Sequence, residues 1–227
     1  MQKIKRIHFE KLDSTISWVK DHYQEFDPSS VICVTASTQT AGKGRFSRKW
    51  VSTQGNLHMT LFYSLEKGDP RVANLAQLMA LAICSLFPAK IKWPNDIVVD
   101  EKKLGGILVE IIDCEDRLGI IHSLGLNVNA PVKTDQKTTS LFEWTGKKHD
   151  LDPLIDQIVT AYFKQLEQGF SAEAFNKKLA YRGEPVTCQI GMKSIHGTLV
   201  GVDEEGKLQL LLDDGTIRSI YSGDLTT

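Results

Sequence analysis

Apolar positions along this chain recur with two different periods. "STISWVKDHYQEF" carries Val19, Tyr23 and Phe26 at helical spacing behind Ser14, a good N-cap. "DPSS" breaks that pattern. "VICVTAST" follows as a continuous, β-branched apolar run that suits a buried strand. "NLHMTLFYSL" alternates, which predicts a strand with Leu57, Met59, Leu61 and Tyr63 on one face. "RVANLAQLMALAICSLF" predicts a long, mostly buried helix ended by Pro88. The stretch "KIKWPNDIVVDEKKLGGILVEIIDCEDRLGIIHSLGLNVN" reads as a series of strands with hairpin turns at "DEK" and "CEDR". "LDPLIDQIVTAYFKQLEQ" predicts a second strong helix, with Asp152 as N-cap and Pro153 at the first helical position. A short helix is expected in "SAEAFNKKLAY".

After "RGEP" the texture changes to short strands with turns at "DEEG" and "DDGT", the pattern of a small β-barrel or sandwich. A boundary is expected near Gly183, giving domains of residues 1–182 and 183–227. The order helix, strands, helix in the first domain predicts an α+β fold built on a mixed, largely antiparallel sheet. No internal repeat or low-complexity segment is present.

The totals narrow the function classes. With 227 residues and a formal net charge of −1, the whole molecule is no electrostatic trap for nucleic acid. Any attraction for anions must be local. No apolar run is long enough to span a bilayer, and "MQKIKRIHFEKLDST" has no signal-peptide core. Cys33, Cys84, Cys114 and Cys188 lack C-x-x-C spacing and sit in apolar segments, as expected of reduced thiols in a cytoplasmic protein. No histidine is paired with a cysteine at zinc-ligand spacing, and none of the six histidines has a convincing acid–base partner.

The local attraction has an obvious seat. "QTAGKGRFSRKW" gathers Gly42, Lys43, Gly44, Arg45, Arg48, Lys49 and Trp50 between two predicted strands. Glycines let backbone N–H groups approach a ligand, and arginines offer planar forks for carboxylate or phosphate. Trp50 could supply a flat apolar wall. The spacing is neither a Walker motif nor a Rossmann fingerprint. Taken alone, the loop fits an anion cradle or a solvated basic loop equally. A second segment, "KWPNDIVVDEKKLGGILVE", puts Lys92, Asp96 and Lys103 around a turn and a hairpin. Gly105 and Gly106 weaken a strand interior, and close approach of a ligand would explain them. In "LGLNVN", Gly125, Asn127 and Asn129 end an apolar strand and could equally be strand-end turn residues.

Together, and in this order, "AGKGRFSRKW", "KWPNDIVVDEKKLGGILVE" and "GLNVN" resemble the biotin–protein ligases. "LDST" at Leu12–Thr15 and "TTSL" at Thr138–Leu141 resemble further segments of that family, and the tail after Gly183 is similar to its SH3-like C-terminal domain. The resemblance covers nearly the whole chain. It implies a class II synthetase-like catalytic domain followed by a small SH3-like β-barrel. It also implies an enzyme that uses ATP and Mg²⁺ to convert biotin to biotinyl-5′-AMP, then transfers biotin to one lysine of a biotin carboxyl carrier domain of acetyl-CoA carboxylase or a related carboxylase.

By that resemblance Ser14, Thr15, Gln39, Gly42, Arg45, Lys103 and Gly106 would bind biotin. Ser14, Thr15 and Gln39 would face its ureido ring, and Lys103 its carboxylate and the α-phosphate. Lys43, Arg48, Trp50 and Asn127 would serve the adenylate. Arg45, Lys103 and Asp96 would be catalytic, Asp96 by orienting the reacting centre or the incoming lysine. The glycine-rich loop would order over the intermediate. No metal ligands are implied. Lys43 stands where the family usually has arginine, and Ile16 where it usually has asparagine. Some members carry an N-terminal DNA-binding domain; "HFEKLDST" begins almost at Met1, so no repressor function is expected, no nucleic-acid or membrane partner, and a monomer or homodimer. The alternatives are a lipoate–protein ligase or octanoyltransferase, or a non-catalytic biotin-adenylate or carrier-binding module.

Overall fold

The described residues, 4–226 of a computed structural model, begin in a strand that the apolar pattern did not announce. This strand, β1 (Ile4–Leu12), is half charged and lies at a sheet edge, where only Ile7, Phe9 and Leu12 are drawn inward. In chain order there follow α1 (Thr15–His22), β2 (Val31–Gln39), β3 (Leu57–Glu66), α2 (Leu75–Leu86), β4 (Lys90–Lys92), β5 (Asp96–Val99), β6 (Lys102–Cys114) and β7 (Arg117–Leu126). The second half holds α3 (Leu141–Thr145), α4 (Leu151–Gln168), α5 (Ala172–Lys178), β8 (Pro185–Ile190), β9 (Lys193–Val202), β10 (Leu208–Leu211), β11 (Ile217–Ile220) and β12 (Asp224–Thr226). The chain forms two compact units, one running to Val72 and resuming over Val99–Ile155, the other made of Ala73–Val98 and the chain from Asp156 onward.

In the first unit the strands run β1-β2-β3-β7-β6. β1 and β2 are parallel, joined through α1, and the remaining pairs are antiparallel. The expected mixed, largely antiparallel sheet is therefore present. Ser14 caps α1 as expected, its hydroxyl accepting the Ser17 N–H at 3.4 Å. α1 then lays Ile16 and Val19 against Ile32, Val34, Phe62 and Ile121 of the sheet. β3 departs from its alternating pattern. Leu57 to Tyr63 are all buried, including His58 and Thr60, because this central strand is covered on both faces. The two hairpin turns fall where "DEK" and "CEDR" predict them: Asp100, Glu101 and Glu115 take left-handed φ of 47°, 61° and 47°.

In the second unit the C-terminal strands form a five-stranded antiparallel sheet in the order β11-β10-β9-β8-β12, with Gly206 and Gly215 at left-handed φ in its turns. The turn bearing Gly206 is docked by three side chains. Gln77 Nε2 and Trp93 Nε1 both donate to the Gly206 carbonyl, at 2.8 and 3.1 Å, and Asn74 Nδ2 donates to the Glu205 carbonyl at 3.0 Å. Trp93, joined to Pro94 by a cis peptide bond, is buried in this contact. A methyl group on Gly206 would run into the amides of Asn74 and Gln77.

Two helix starts differ from expectation. α4 begins at Leu151, so Asp152 lies inside it. Asp150 precedes the helix and its carboxylate accepts the Asp152 N–H at 3.3 Å. α2 begins at Leu75, after a 3-10 turn over Pro70–Asn74. Among the described residues no helix is long and apolar enough to cross a membrane.

Two histidines are sealed inside the first unit, and burial disfavours their charged forms. His58 titrates below its ordinary value, chiefly from burial and partly offset by its 3.2 Å bond to the Ala36 carbonyl. His122, fully buried, is pushed down to about 3. An unfolded chain protonates near pH 6.5 while the folded one holds both rings neutral, so the unfolded state binds more protons below that pH. Stability is expected to be full above about pH 6.5 and to fall as pH drops towards 3, by roughly 1 kcal/mol per pH unit for His122, with His58 adding a loss of the same sign. Urea denaturation between pH 7 and pH 4 measures this slope, and His122→Gln should flatten it.

Candidate active site

The N-terminus of α1 and the end of β2 are brought together by the parallel β1–β2 register, which sets Leu12 opposite Gln39. The ladder continues as Thr40 and Ala41 donate to the carbonyls of Leu12 and Asp13. This places the Gln39 amide against Thr15. Its Oε1 accepts both the Thr15 backbone N–H, at 2.9 Å, and the Thr15 hydroxyl, at 3.2 Å. Its Nε2 donates to Ser52 Oγ at 3.2 Å. Beneath it, Thr60 of β3 donates to Thr15 Oγ1 at 2.8 Å and lies 2.9 Å from Ser123 Oγ on β7. Ser14, Thr15, Thr60 and Ser123 are all buried, whereas Gln39 is half-buried, so this polar row runs from the interior towards the surface.

The basic loop is a small hairpin rather than an open coil. Lys43 and Lys49 pair as an antiparallel bridge, Gly44 N–H donates to the Arg48 carbonyl at 2.7 Å, and Trp50 N–H to the Gly42 carbonyl at 2.9 Å. Phe46 and Ser47 turn its tip with left-handed φ of 53° and 59°. Arg45 and Arg48 both lie against the exposed Phe46 ring, with guanidinium carbons 4.8 and 5.7 Å from its centroid. Gly42 is required by packing. A Cβ there would sit 2.6 Å from the Trp50 carbonyl and 3.2 Å from Gln39 Nε2.

Trp50 closes the row at the other end. Its indole packs against Gly125 of β7, where any Cβ would overlap the ring. Its Nε1 is buried and has no hydrogen-bond partner among the described residues. Lys103 Nζ lies 5.6 Å from the same ring centroid, within cation–π range. The backbone of Lys103 is gripped by the chain around Thr138: its N–H donates to the Lys137 carbonyl at 2.9 Å, and its carbonyl accepts Thr139 N–H at 3.0 Å. The "TTSL" segment thus acts as a short extra strand beside β6. Gly106 pairs with Gly125 across β6 and β7, and the neighbouring Gly105 has the Gly125 carbonyl 2.8 Å from where a Cβ would be. Crowding by protein backbone therefore accounts for Gly105.

Asn127 and Asn129 are builders of this wall. The Asn127 amide donates to Thr139 O at 3.0 Å and to Lys103 O at 3.4 Å, tying β6 to "TTSL". Asn129 exchanges two bonds with the His149 backbone, each 2.8 Å. Behind both stands Asn56, whose Oδ1 accepts the N–H groups of Val128, Asn129 and Ala130 at 2.8, 3.1 and 3.0 Å.

Of the residues singled out in the sequence, Ser14, Thr15, Gln39, Gly42, Trp50, Lys103, Gly106 and Asn127 all fall in the first unit on the elements just described. Asp96 belongs to the second unit, paired with Lys92 across the β4–β5 hairpin. Sequence reasoning missed Asn56, Thr60, Ser123 and Ser52. The available signal was that Thr60 and Ser123 are lone small hydroxyls inside apolar strand runs, where a buried polar group needs a partner.

Comparison with known proteins agrees with this architecture. Residues 8–129 match the Biotin/lipoate A/B protein ligase family, and residues 182–225 match the Biotin protein ligase C terminal domain. The biotin–[acetyl-CoA-carboxylase] ligase of Paracoccus denitrificans is 30% identical over 199 residues, covering 78% of this chain and 82% of its own length. The bifunctional ligase/repressor BirA of Bacillus spizizenii is 32% identical over 211 residues, which is 85% of this chain but only 65% of the repressor's length. Among solved structures, the biotin protein ligase of Aquifex aeolicus in complex with biotin and ATP superposes with a TM-score of 0.80 at 29% identity, covering 98% of this chain and 97% of that one. The chain belongs to the biotin/lipoate A/B protein ligase family, on the branch of the biotin protein ligases.

Because Asn56 accepts three successive N–H groups, of which that of Asn129 also reaches the Gly55 carbonyl at 3.2 Å, Asn56→Ala should destabilise the fold by roughly 2 kcal/mol. Urea titration of the variant against wild type checks this.

Proposed function

We propose that this chain is an ATP-dependent biotin–protein ligase that activates biotin as biotinyl-5′-AMP and transfers it to a lysine of a biotin carboxyl carrier domain. The supporting observation is what the Ser14–Thr15–Gln39 row leaves unspent. Thr15 Oγ1 accepts from Thr60 and keeps one lone pair. Gln39 Nε2 gives one hydrogen to Ser52 and keeps one. Ser14 Oγ accepts from Ser17 and keeps its own hydrogen. One acceptor and two donors are the groups that a cyclic urea calls for, since its N–H donates and its carbonyl accepts twice. Lipoate carries no such group. It would leave these sheltered donors and acceptor unpaired, which supports biotin over the lipoate alternative by a factor of at least ~100.

Farther out, Lys103 and Gly106 would receive the valeryl carboxylate and α-phosphate, with Trp50 and Asn127 on the adenylate side. Lys43, Arg45 and Arg48 would supply the cationic hairpin for the phosphates. A carboxylate oxygen attacks the α-phosphorus and the bond to pyrophosphate breaks. Lys103 and Arg45 offset the repulsion between the two anions and the charge that builds in the transition state. In the second step a neutral lysine amine attacks the acyl carbon, AMP leaves, and the amine loses a proton. Asp96 is assigned to orienting that lysine. Among the described residues no group of three or more His, Cys, Asp or Glu could cage a metal. Mg²⁺ would accompany the triphosphate and offset its negative charge. We assign residues 1–182 to the catalytic part and 183–227 to a C-terminal domain, supported by the family match at 182–225.

Incubation with ATP, Mg²⁺, a carrier domain and labelled biotin should transfer label to the carrier, and labelled lipoate should transfer none. Label from lipoate but not biotin would overturn the assignment. Lys103→Ala should slow adenylation roughly 100-fold or more while weakening biotin binding far less. Pre-steady-state pyrophosphate release together with equilibrium biotin binding separates the two effects.

A further inference from the structure

The hydroxyl chain beneath Thr15 has a direction, and one backbone group sets it. The Thr15 N–H can only donate, so the Gln39 atom 2.9 Å from it is the carbonyl oxygen. That oxygen can only accept, so the Thr15 hydroxyl, 3.2 Å away, must spend its single hydrogen there. Thr60, 2.8 Å from Thr15 Oγ1, must then donate to Thr15. With its hydrogen spent, Thr60 can only accept from Ser123, 2.9 Å away. The result is one-way: Ser123 to Thr60 to Thr15 to Gln39. Every member before Gln39 is buried, so no bulk water competes for these hydrogens.

We infer that Thr60 and Ser123 are positioning residues for biotin specificity, which act through Thr15 without touching the substrate themselves. They keep the Thr15 hydroxyl hydrogen turned towards Gln39 and its remaining lone pair turned outward, so that Thr15 is an acceptor and the incoming ring must present N–H. Remove the Thr60 hydroxyl and Thr15 loses the donor that holds its lone pairs in place. The hydroxyl is then held by the longer 3.2 Å contact to Gln39 alone, and an acceptor fixed in advance by two contacts becomes one that the ligand must help to orient. This rests on the biotin-ligase assignment and deepens it.

The test compares Thr60→Val, which keeps shape and removes the hydroxyl, with Thr60→Ser and Ser123→Ala in the purified full chain. Biotin binding is measured without ATP, alongside KM for biotin, KM for ATP and kcat in carrier labelling. Thr60→Val should weaken biotin binding and raise its KM roughly tenfold, with KM for ATP within about twofold of wild type. Thr60→Ser should restore the wild-type value, and Ser123→Ala should show a smaller loss of the same kind. If Thr60→Val fails to fold, Ser123→Ala carries the same split between the two KM values. Unchanged biotin binding in the folded variants, or equal losses towards biotin and ATP, overturns the inference alone. Wild-type chain that binds no biotin overturns the ligase assignment, and the inference with it.

Discussion

The bond from the Thr15 backbone N–H to the Gln39 side-chain carbonyl is the contact on which the site depends. It joins the first turn of a helix to the end of a strand, and it fixes which end of a symmetric-looking amide faces inward. From that one choice the direction of three hydroxyls, those of Thr15, Thr60 and Ser123, follows. A buried polar row is costly if any member is left over, and stabilising when every hydrogen has an assigned acceptor. Here the assigned bonds consume the interior valences and leave a small, definite remainder near the surface.

Much of the fold was legible because its cues are local. Ser14 caps where its hydroxyl predicts, the "DEK" and "CEDR" turns lie between the strands they separate, and the C-terminal sheet follows the change of texture near Gly183. The strand β1 was not legible. As an edge strand with one half-covered face it needs few apolar residues, so its charges resembled a loop. The burial of both faces of β3 was hidden for the opposite reason: His58 and Thr60 look solvent-facing until their partners on other strands are known. Asp152 misled because Asp150, two residues earlier, is an equally good helix-start acceptor.

The site residues divide in the same way. Glycines and cations cluster in sequence and announce themselves. Gly42 and Gly125 turn out to be demanded by the Trp50 backbone and ring, and Gly105 by a neighbouring strand, so ligand approach was an incomplete account of them. Asn56 was invisible because its partners are more than 70 positions away and nothing nearby hints at them. In the second unit, Trp93 is the buried prop of the Glu205–Gly206 turn, which ties the "KWPND" segment to the C-terminal sheet.

The parallel alignment of β1 with β2 also acts as a ruler. Leu12 stands level with Gln39, and only Asp13 and Ser14 separate it from Thr15. Each residue of extended chain advances about 3.3 Å. Adding or deleting one residue within that two-residue bridge would carry Thr15 out of reach of its partner by a full bond length or more. The Asp27–Ser30 turn at the far end of the same pair of strands is closed by bonds of its own, from Ser29 and Ser30 to Asp27, so a change of length there would disturb the turn and leave the spacing of Thr15 and Gln39 alone.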